Sequence, residues 1–137
     1  NEQLSIASTG GGTTGTNGTS TLGSSYIVTS SYADSCLNVT LPVAGDYLVW
    51  CTVEVSVTPS GAEIDIRLRD DTAATDFDEW EGLNSTAASP AAIATITIHM
   101  PITTAGVNHV IKLMAKYQGF APNVNIFSGR MTYVRIA

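Results

Sequence analysis

The sequence has 137 residues, of which 44% are hydrophobic and only 13% are charged, and its net charge is -6. This length is typical of one domain with a single core. The acidic balance and the scattered positions of the six basic residues argue against a nucleic-acid binder, which would carry a basic stripe. No apolar run approaches the roughly 20 residues of a membrane-spanning helix, so we expect no membrane insertion.

The first 24 residues are predicted to be an anchor followed by a tether. Residues 8–24, STGGGTTGTNGTSTLGS, are a low-complexity run of Gly, Thr and Ser, which buries too little apolar surface to offset the entropy of ordering. Before this run, Leu4 and Ile6 form a short apolar piece that we predict docks on a larger assembly. Deleting residues 1–24 should then abolish attachment and leave the fold of residues 25–137 intact.

From Tyr26 onward the sequence predicts about eight antiparallel strands. Apolar and polar residues alternate through LNVTL, DYLVWCTVEVSVT, AEIDIRLR and IATITIHM, and similar runs follow to the C-terminus. This period of two is typical of half-buried strands. Two Ala-Gly turns, at residues 44–45 and 105–106, each lie just before a strand. The pattern predicts an all-β, antiparallel jelly-roll β-sandwich over residues 25–137, with an extended N-terminal arm.

The segment RDDTAATDFDEWEG is predicted to be a loop that carries half of the twelve acidic residues. Its carboxylates could bind calcium, but their spacing fits no EF-hand, so a solvated acidic loop is the preferred interpretation. Phe77 and Trp80 would make a partner-binding anchor, or stack on a sugar ring, if they were exposed on this loop. The acidic residues are Asp70, Asp71, Asp76, Asp78, Glu79 and Glu81.

The sequence contains no catalytic signature, such as a nucleophile elbow, a phosphate loop or a zinc-protease helix. His99 and His109 have no Cys, His or Asp cluster at metal spacing around them, so we expect surface or interface histidines. We therefore predict no enzymatic activity, no metal and no cofactor.

The two cysteines, Cys36 and Cys51, are predicted to be free thiols. If the strand ending at Leu41 formed a hairpin with the next strand through a four-residue turn, Cys36 would face Cys51. A five-residue loop instead keeps the apolar side chains of both strands on one face, and that register is the favoured one. Both possibilities assume that the two strands are neighbours.

The strand from Asp46 to Thr58 is apolar on both faces near its start. Leu48 and Trp50 lie opposite the face of Tyr47 and Val49, which indicates that both faces are covered. One face would pack on the second sheet. The other makes Leu48 and Trp50 a candidate interface with a neighbouring subunit.

Two segments carry a resemblance to a known family. CLNVTLPVAGDYLVWCTVEVSV resembles the part of C1q/TNF-like jelly rolls in which an apolar strand, a Pro-x-x-Gly-like turn and a Tyr-containing strand follow one another. IFSGRMTYVRIA is similar to the final strand of that fold. The Gly-rich leader and AGVNHVIKLMAKY resemble small jelly-roll modules of tailed-phage virions. The resemblance covers roughly residues 32–137, and the collagen-like stalk of C1q is absent because the leader has no period of three.

The resemblance implies a homotrimer that buries apolar or aromatic residues at its axis. It implies a non-enzymatic virion structural protein, a capsid decoration or head-fibre protein that binds and stabilises the phage head exterior. The implied partners are further copies of the chain and the major capsid protein or another virion component, with a host-surface glycan as a further candidate. Two alternatives stay open: a receptor- or glycan-binding tip module of a fibre, and a secreted C1q/TNF-like ligand domain.

Overall fold

The computed structural model describes residues 16–58, 63–84, 92–119 and 123–137. Within these ranges the chain forms nine β-strands and no helix, and therefore no helix that could span a membrane. The strands are β1 (Asn17–Thr21), β2 (Tyr26–Ile27), β3 (Ala33–Leu41), β4 (Gly45–Thr58), β5 (Glu63–Asp70), β6 (Thr75–Asn84), β7 (Ala92–Thr104), β8 (His109–Gln118) and β9 (Asn123–Arg135).

The strands form two antiparallel sheets that share one core. Sheet A has the order β1-β9-β4-β7, with the short β2 also paired to β9, and sheet B has the order β3-β8-β5-β6. Neighbouring strands come from distant parts of the chain, because several connections cross from one sheet to the other. This order is that of a jelly roll, so the predicted all-β sandwich is confirmed.

The two Ala-Gly turns lie side by side at one end of the sandwich. The first leads from β3 in sheet B to β4 in sheet A, and the second leads from β7 in sheet A to β8 in sheet B. Because β4 pairs with β7, Gly45 lies opposite Thr104, and the Asn108 N–H donates to the Pro42 carbonyl. The repeated motif thus marks two crossings between the sheets, made next to each other in opposite directions.

The core consists of side chains that point inward from both sheets. Tyr47 connects it to the first turn, since its buried hydroxyl donates to the Val43 carbonyl at 2.7 Å and its ring meets Tyr133 edge-on at 5.7 Å. The alternation predicted for β4 and β5 is confirmed. The buried residues of these two strands' apolar faces are Tyr47, Val49, Cys51, Val53, Val55, Val57, Ile64, Ile66 and Leu68.

Strand β1 lies inside the segment predicted to be a tether. All five of its residues pair with β9. The Tyr133 ring lies over Gly18, where a methyl group would come within 2.6 Å of it, and the hydroxyls of Thr19 and Thr132 lie 3.2 Å apart. This low-complexity segment is ordered because it pairs along its length with β9 and packs against the Tyr133 ring of that strand. Sheet A therefore begins before residue 25, and deletion of residues 1–24 would remove an edge strand.

Strand β6 lies in the segment predicted to be an acidic loop. Only residues 71–74 form a turn, in which Ala74 has a φ of 56° and the Ala73 N–H donates to the Asp70 carboxylate. Acidic residues are poor strand formers by propensity. Pairing with β5 overrides that preference, because β5 places Arg67 and Arg69 opposite acidic positions of β6.

The two cysteines lie in different sheets, so the assumed hairpin between β3 and β4 is wrong. Cys36 is exposed at an irregular position of β3 with a φ of 67°, and Cys51 is buried in β4. Both are free thiols, as predicted. Burial raises the pKa of the Cys51 thiol to about 12.

Candidate interaction face

The outward side of sheet A, called face A below, is almost free of charge. Its described side chains alternate with the buried ones along three neighbouring strands. They are Asp46, Leu48, Trp50, Thr52, Glu54 and Ser56 of β4, Ile93, Thr95, Thr97, His99, Pro101 and Thr103 of β7, and Asn123, Asn125, Phe127, Ser128, Arg130, Thr132 and Val134 of β9. Among these, only Asp46, Glu54 and Arg130 carry a permanent charge. Depletion of charge is typical of the central part of a protein–protein contact.

One end of face A is apolar. Leu48 lies between Pro101 and Val134 in the sheet, and Trp50 lies beside His99. Leu48 and Trp50 are only partly buried, and together with His99 they line a shallow hollow of about 320 Å³. The sequence therefore correctly predicts that Leu48 and Trp50 share an outward face.

A β-bulge in β9 adds an aromatic side chain to face A. Glu54 pairs with Ser128 and the next residue, Val55, pairs with Ile126, so Phe127 is left without a partner in β4. Ile126 points into the core, whereas Phe127 is 42% exposed. The extra residue thus leaves Phe127 and Ser128 both outward, which is how bulges commonly redirect side chains.

An open trough of about 650 Å³ lies between Trp50 and Phe127. Hydroxyls and the charged groups of Glu54 and Arg130 line it, and the Thr52 hydroxyl lies 3.0 Å from that of Thr97 on the neighbouring strand. Within the described chain, Glu54 and Arg130 form neither an ion pair nor a side-chain hydrogen bond. The polar side chains that line the trough are Thr21, Thr52, Glu54, Thr95, Ser128 and Arg130.

The outward side of sheet B, called face B, carries a network of ion pairs instead. Its bases are Arg67, Arg69, Lys112 and Lys116, and its acids are Asp34, Asp65, Asp71 and Asp76. Arg69 Nη1 lies 2.8 Å from an Asp76 oxygen and Lys112 Nζ lies 3.0 Å from an Asp34 oxygen. Each of the four bases has a carboxylate within 4.0 Å.

The pairing on face B is reflected in its pKa values. Hydrogen bonds to Asp76 and then to Asp71 raise the pKa of Arg69, and hydrogen bonds to Asp34 and Asp71 raise the pKa of Lys112. The same contacts, first with Lys112 and then with Arg69, lower the pKa of Asp71. Each group is held in its charged form by an oppositely charged neighbour.

Three of the acidic residues considered as calcium ligands make other contacts in the structure. Asp70 is buried and contacts Nδ1 of His109 at 2.7 Å, while Asp71 and Asp76 belong to face B. Among the side chains that the structure describes, no three potential metal ligands come together. The side chains of three further acidic residues lie outside that description, namely Asp78, Glu79 and Glu81.

The predicted partner-binding loop is a strand. Phe77 lies in β6 and packs, partly buried, against the core, so it is not exposed at a loop tip. Trp80 lies in the same strand opposite Ile66, and its side chain is outside the described part. The predicted anchor residues, Leu4 and Ile6, also lie outside the described residues.

Three residues of face A are absent from the sequence-based predictions: Phe127, Glu54 and Arg130. A signal for Phe127 exists, because Ile126 and Phe127 are adjacent apolar residues followed by Gly129. This breaks the alternation of β9 and is typical of a bulge. Glu54 and Arg130 could not be recognised from the sequence, because only the pairing of β4 with β9 brings them together. In that pairing Thr52 lies opposite Arg130.

The fold can be compared with known proteins. No protein-family model and no curated protein matches the sequence. Similar solved structures include the VP2 protein of infectious bursal disease virus, with a TM-score of 0.54, 9% identity and coverage of 87% of this chain and 32% of that chain. Another is latent PorU from Porphyromonas gingivalis, with a TM-score of 0.51, 10% identity and coverage of 88% and 13%.

A structure of the Gx strain of the same virus has a TM-score of 0.51 at 9% identity, and the match covers 88% of this chain and 29% of that chain. This chain thus spans about a third or less of the proteins that it resembles. At such low identity the likeness is one of fold alone. The class defined by strand order and comparison is a jelly-roll β-sandwich.

Proposed function

We propose that this protein is a non-enzymatic structural protein of a virion exterior. It would be a homotrimeric capsid decoration or head-fibre protein that binds and stabilises the phage head. The single observation that carries the proposal is the apolar end of face A, where Leu48 and Trp50 are partly exposed beside Pro101 and Val134.

Contact between copies would remove this apolar end from water. Each square ångström of apolar surface buried contributes about 25 cal/mol, so a few partly exposed large side chains per protomer supply useful association energy. The charged side chain nearest to this end is that of Asp46, which lies two residues from Leu48 and accepts a hydrogen bond from the Thr103 hydroxyl at 2.6 Å. A contact centred on Leu48 and Trp50 would leave Asp46 at its polar rim. Glu54 and Arg130 lie farther along the strands. The jelly roll shared with a viral VP2 protein supports a role in a shell or on its surface.

The non-enzymatic part of the proposal is supported by how the buried polar groups are used. Asp70 is held by His109 and by the Ala73 N–H, which fixes the turn after β5. The buried Ser35 hydroxyl donates to the Leu113 carbonyl at 2.9 Å. These groups hold backbone and neighbouring strands in place, and their geometry is that of structural hydrogen bonds.

The proposal is tested by the mass in solution, measured by light scattering on a sizing column. We expect three times 14.3 kDa for the natural chain. Leu48→Asp should give a folded protein of 14.3 kDa, because a carboxylate at the subunit contact would have to be buried without a partner.

Thr40→Asp is the matched control. Thr40 is exposed on β3 in sheet B, so the same new charge on the opposite side should leave the trimer intact. A monomeric natural chain, or a Leu48→Asp variant that stays trimeric, would contradict the proposal.

A further inference from the structure

We infer that the trough of face A is a binding site for a neutral oligosaccharide. The trough brings together two aromatic side chains, one carboxylate, one guanidinium and several hydroxyls. Aromatic rings pack against the C–H faces of sugar rings, and the polar groups are those that bind sugar hydroxyls.

The aromatic part of the site comes from two strands. Trp50 is presented by the regular alternation of β4, and Phe127 by the bulge of β9. Phe127 is one of the large apolar side chains that remain exposed in the folded chain, although it sits in the middle of a sheet. Because the bulge turns the Phe127 ring outward, the ring does not pack in the core. A ligand that covers the ring would remove it from water instead.

The two charged groups of the site have no partner in the described chain, in contrast to those of face B. Glu54 and Arg130 form no ion pair or side-chain hydrogen bond with any described residue. A carboxylate that accepts and a guanidinium that donates can together bind neighbouring hydroxyls of one sugar, through charge-assisted hydrogen bonds. Their opposite charges cancel, which favours a neutral ligand over an acidic one.

Trp50 belongs both to the proposed subunit contact and to this site, but the rest of the site lies outside that contact. Glu54 lies six residues from Leu48 along β4, which is about 20 Å in an extended strand. A subunit contact at the apolar end therefore leaves the Glu54 and Phe127 end open to a ligand. The two proposals can fail separately.

The test uses tryptophan fluorescence of the full chain with a panel of neutral oligosaccharides built from glucose, mannose, galactose or N-acetylglucosamine. The Trp80→Phe variant leaves Trp50 as the only tryptophan of the two in the sequence. We expect at least one oligosaccharide to change the Trp50 emission in a saturable way. Phe127→Ala and Glu54→Gln should each weaken that binding by about tenfold or more, since each removes a stacking or charge-assisted contact.

Two further measurements make the outcome decisive. Thr40→Ala, on the opposite side of the sandwich, should bind as the natural chain does, and Phe127→Ala should keep the natural mass in solution. The inference is overturned if no oligosaccharide of the panel binds at millimolar concentration. It is equally overturned if Phe127→Ala and Glu54→Gln bind the neutral oligosaccharides as tightly as the natural chain does.

Discussion

Face A and face B lie on opposite sides of one sandwich, and they differ in whether their charged groups have partners within the chain. On face B, four of the six basic residues each have a carboxylate within 4.0 Å, and Arg67 also lies 3.9 Å above the Tyr32 ring. On face A, Glu54 and Arg130 have no such partner among the described residues, and Trp50 and Phe127 remain partly open to solvent.

The difference shows on which side the charged groups already have partners within the single chain. The four bases of face B are paired with carboxylates of the same face, so a partner would have to break existing ion pairs to bind them. Face A offers apolar surface together with Glu54 and Arg130, which have no ion-pair or side-chain hydrogen-bond partner in the described chain. A low overall charge alone would not distinguish the two sides, because the distribution of the charges carries the information.

The largest expected effect is a difference in stability loss between a variant that truncates an inward side chain and one that truncates a side chain of face A. Leu68→Ala should lower the free energy of unfolding by about 2–5 kcal/mol, because Leu68 is fully buried. Trp50→Ala removes a larger side chain but should cost no more than about 1.5 kcal/mol in a monomeric Leu48→Asp background, because Trp50 is only half-buried there. Urea unfolding of both variants measures the difference. Equal losses would mean that Trp50 is a core residue and that face A is not an open surface.

A smaller effect concerns the pH dependence of the core beneath face A. The pKa of Cys51 is raised from 9.0 to about 12 in the folded chain, so above pH 9 only the unfolded chain ionises at this position. The free energy of unfolding should then fall by about 1.4 kcal/mol per pH unit from Cys51 alone until pH approaches 12. Urea unfolding at several alkaline pH values should give a shallower decline for Cys51→Val. Identical slopes would show that the thiol is accessible in the folded state.

The smallest effect compares one arginine from each face. Arg69→Met should lower the Tm slightly at low salt, and the loss should shrink as salt is added, because Arg69 pairs with Asp71 and Asp76. Arg130→Met on face A should leave the Tm unchanged at every salt concentration. Thermal unfolding followed by circular dichroism measures both. If Arg130→Met lowered the Tm as much as Arg69→Met, the contrast between the two faces would fail.

The fold was predictable where local pattern and tertiary structure agree. The alternation of β4 and β5 gives their buried faces directly, and the Ala-Gly turns give strand boundaries, although not the crossings between sheets that the turns make. Strands β1 and β6 were missed because neither has a strand-like composition. One depends on the Tyr133 ring over Gly18, and the other on pairing with the arginines of β5.

The candidate site was predictable only in part, for a related reason. Leu48 and Trp50 are recognisable from one strand, because period two assigns them to the outward face. The trough needs three strands side by side and a bulge in β9. Residues as distant in sequence as Glu54, Thr95 and Phe127 come together only through that strand order.

The unequal burial of the two cysteines allows one thiol of the folded protein to be labelled selectively. Cys36 is exposed on β3 in sheet B, and Cys51 is sealed in the core. A thiol-reactive dye should therefore label one position of the folded protein without any mutation, on the sheet opposite face A. The second thiol would react only when the sandwich opens, so the rate of the slow phase of labelling would report the rate at which the protein unfolds.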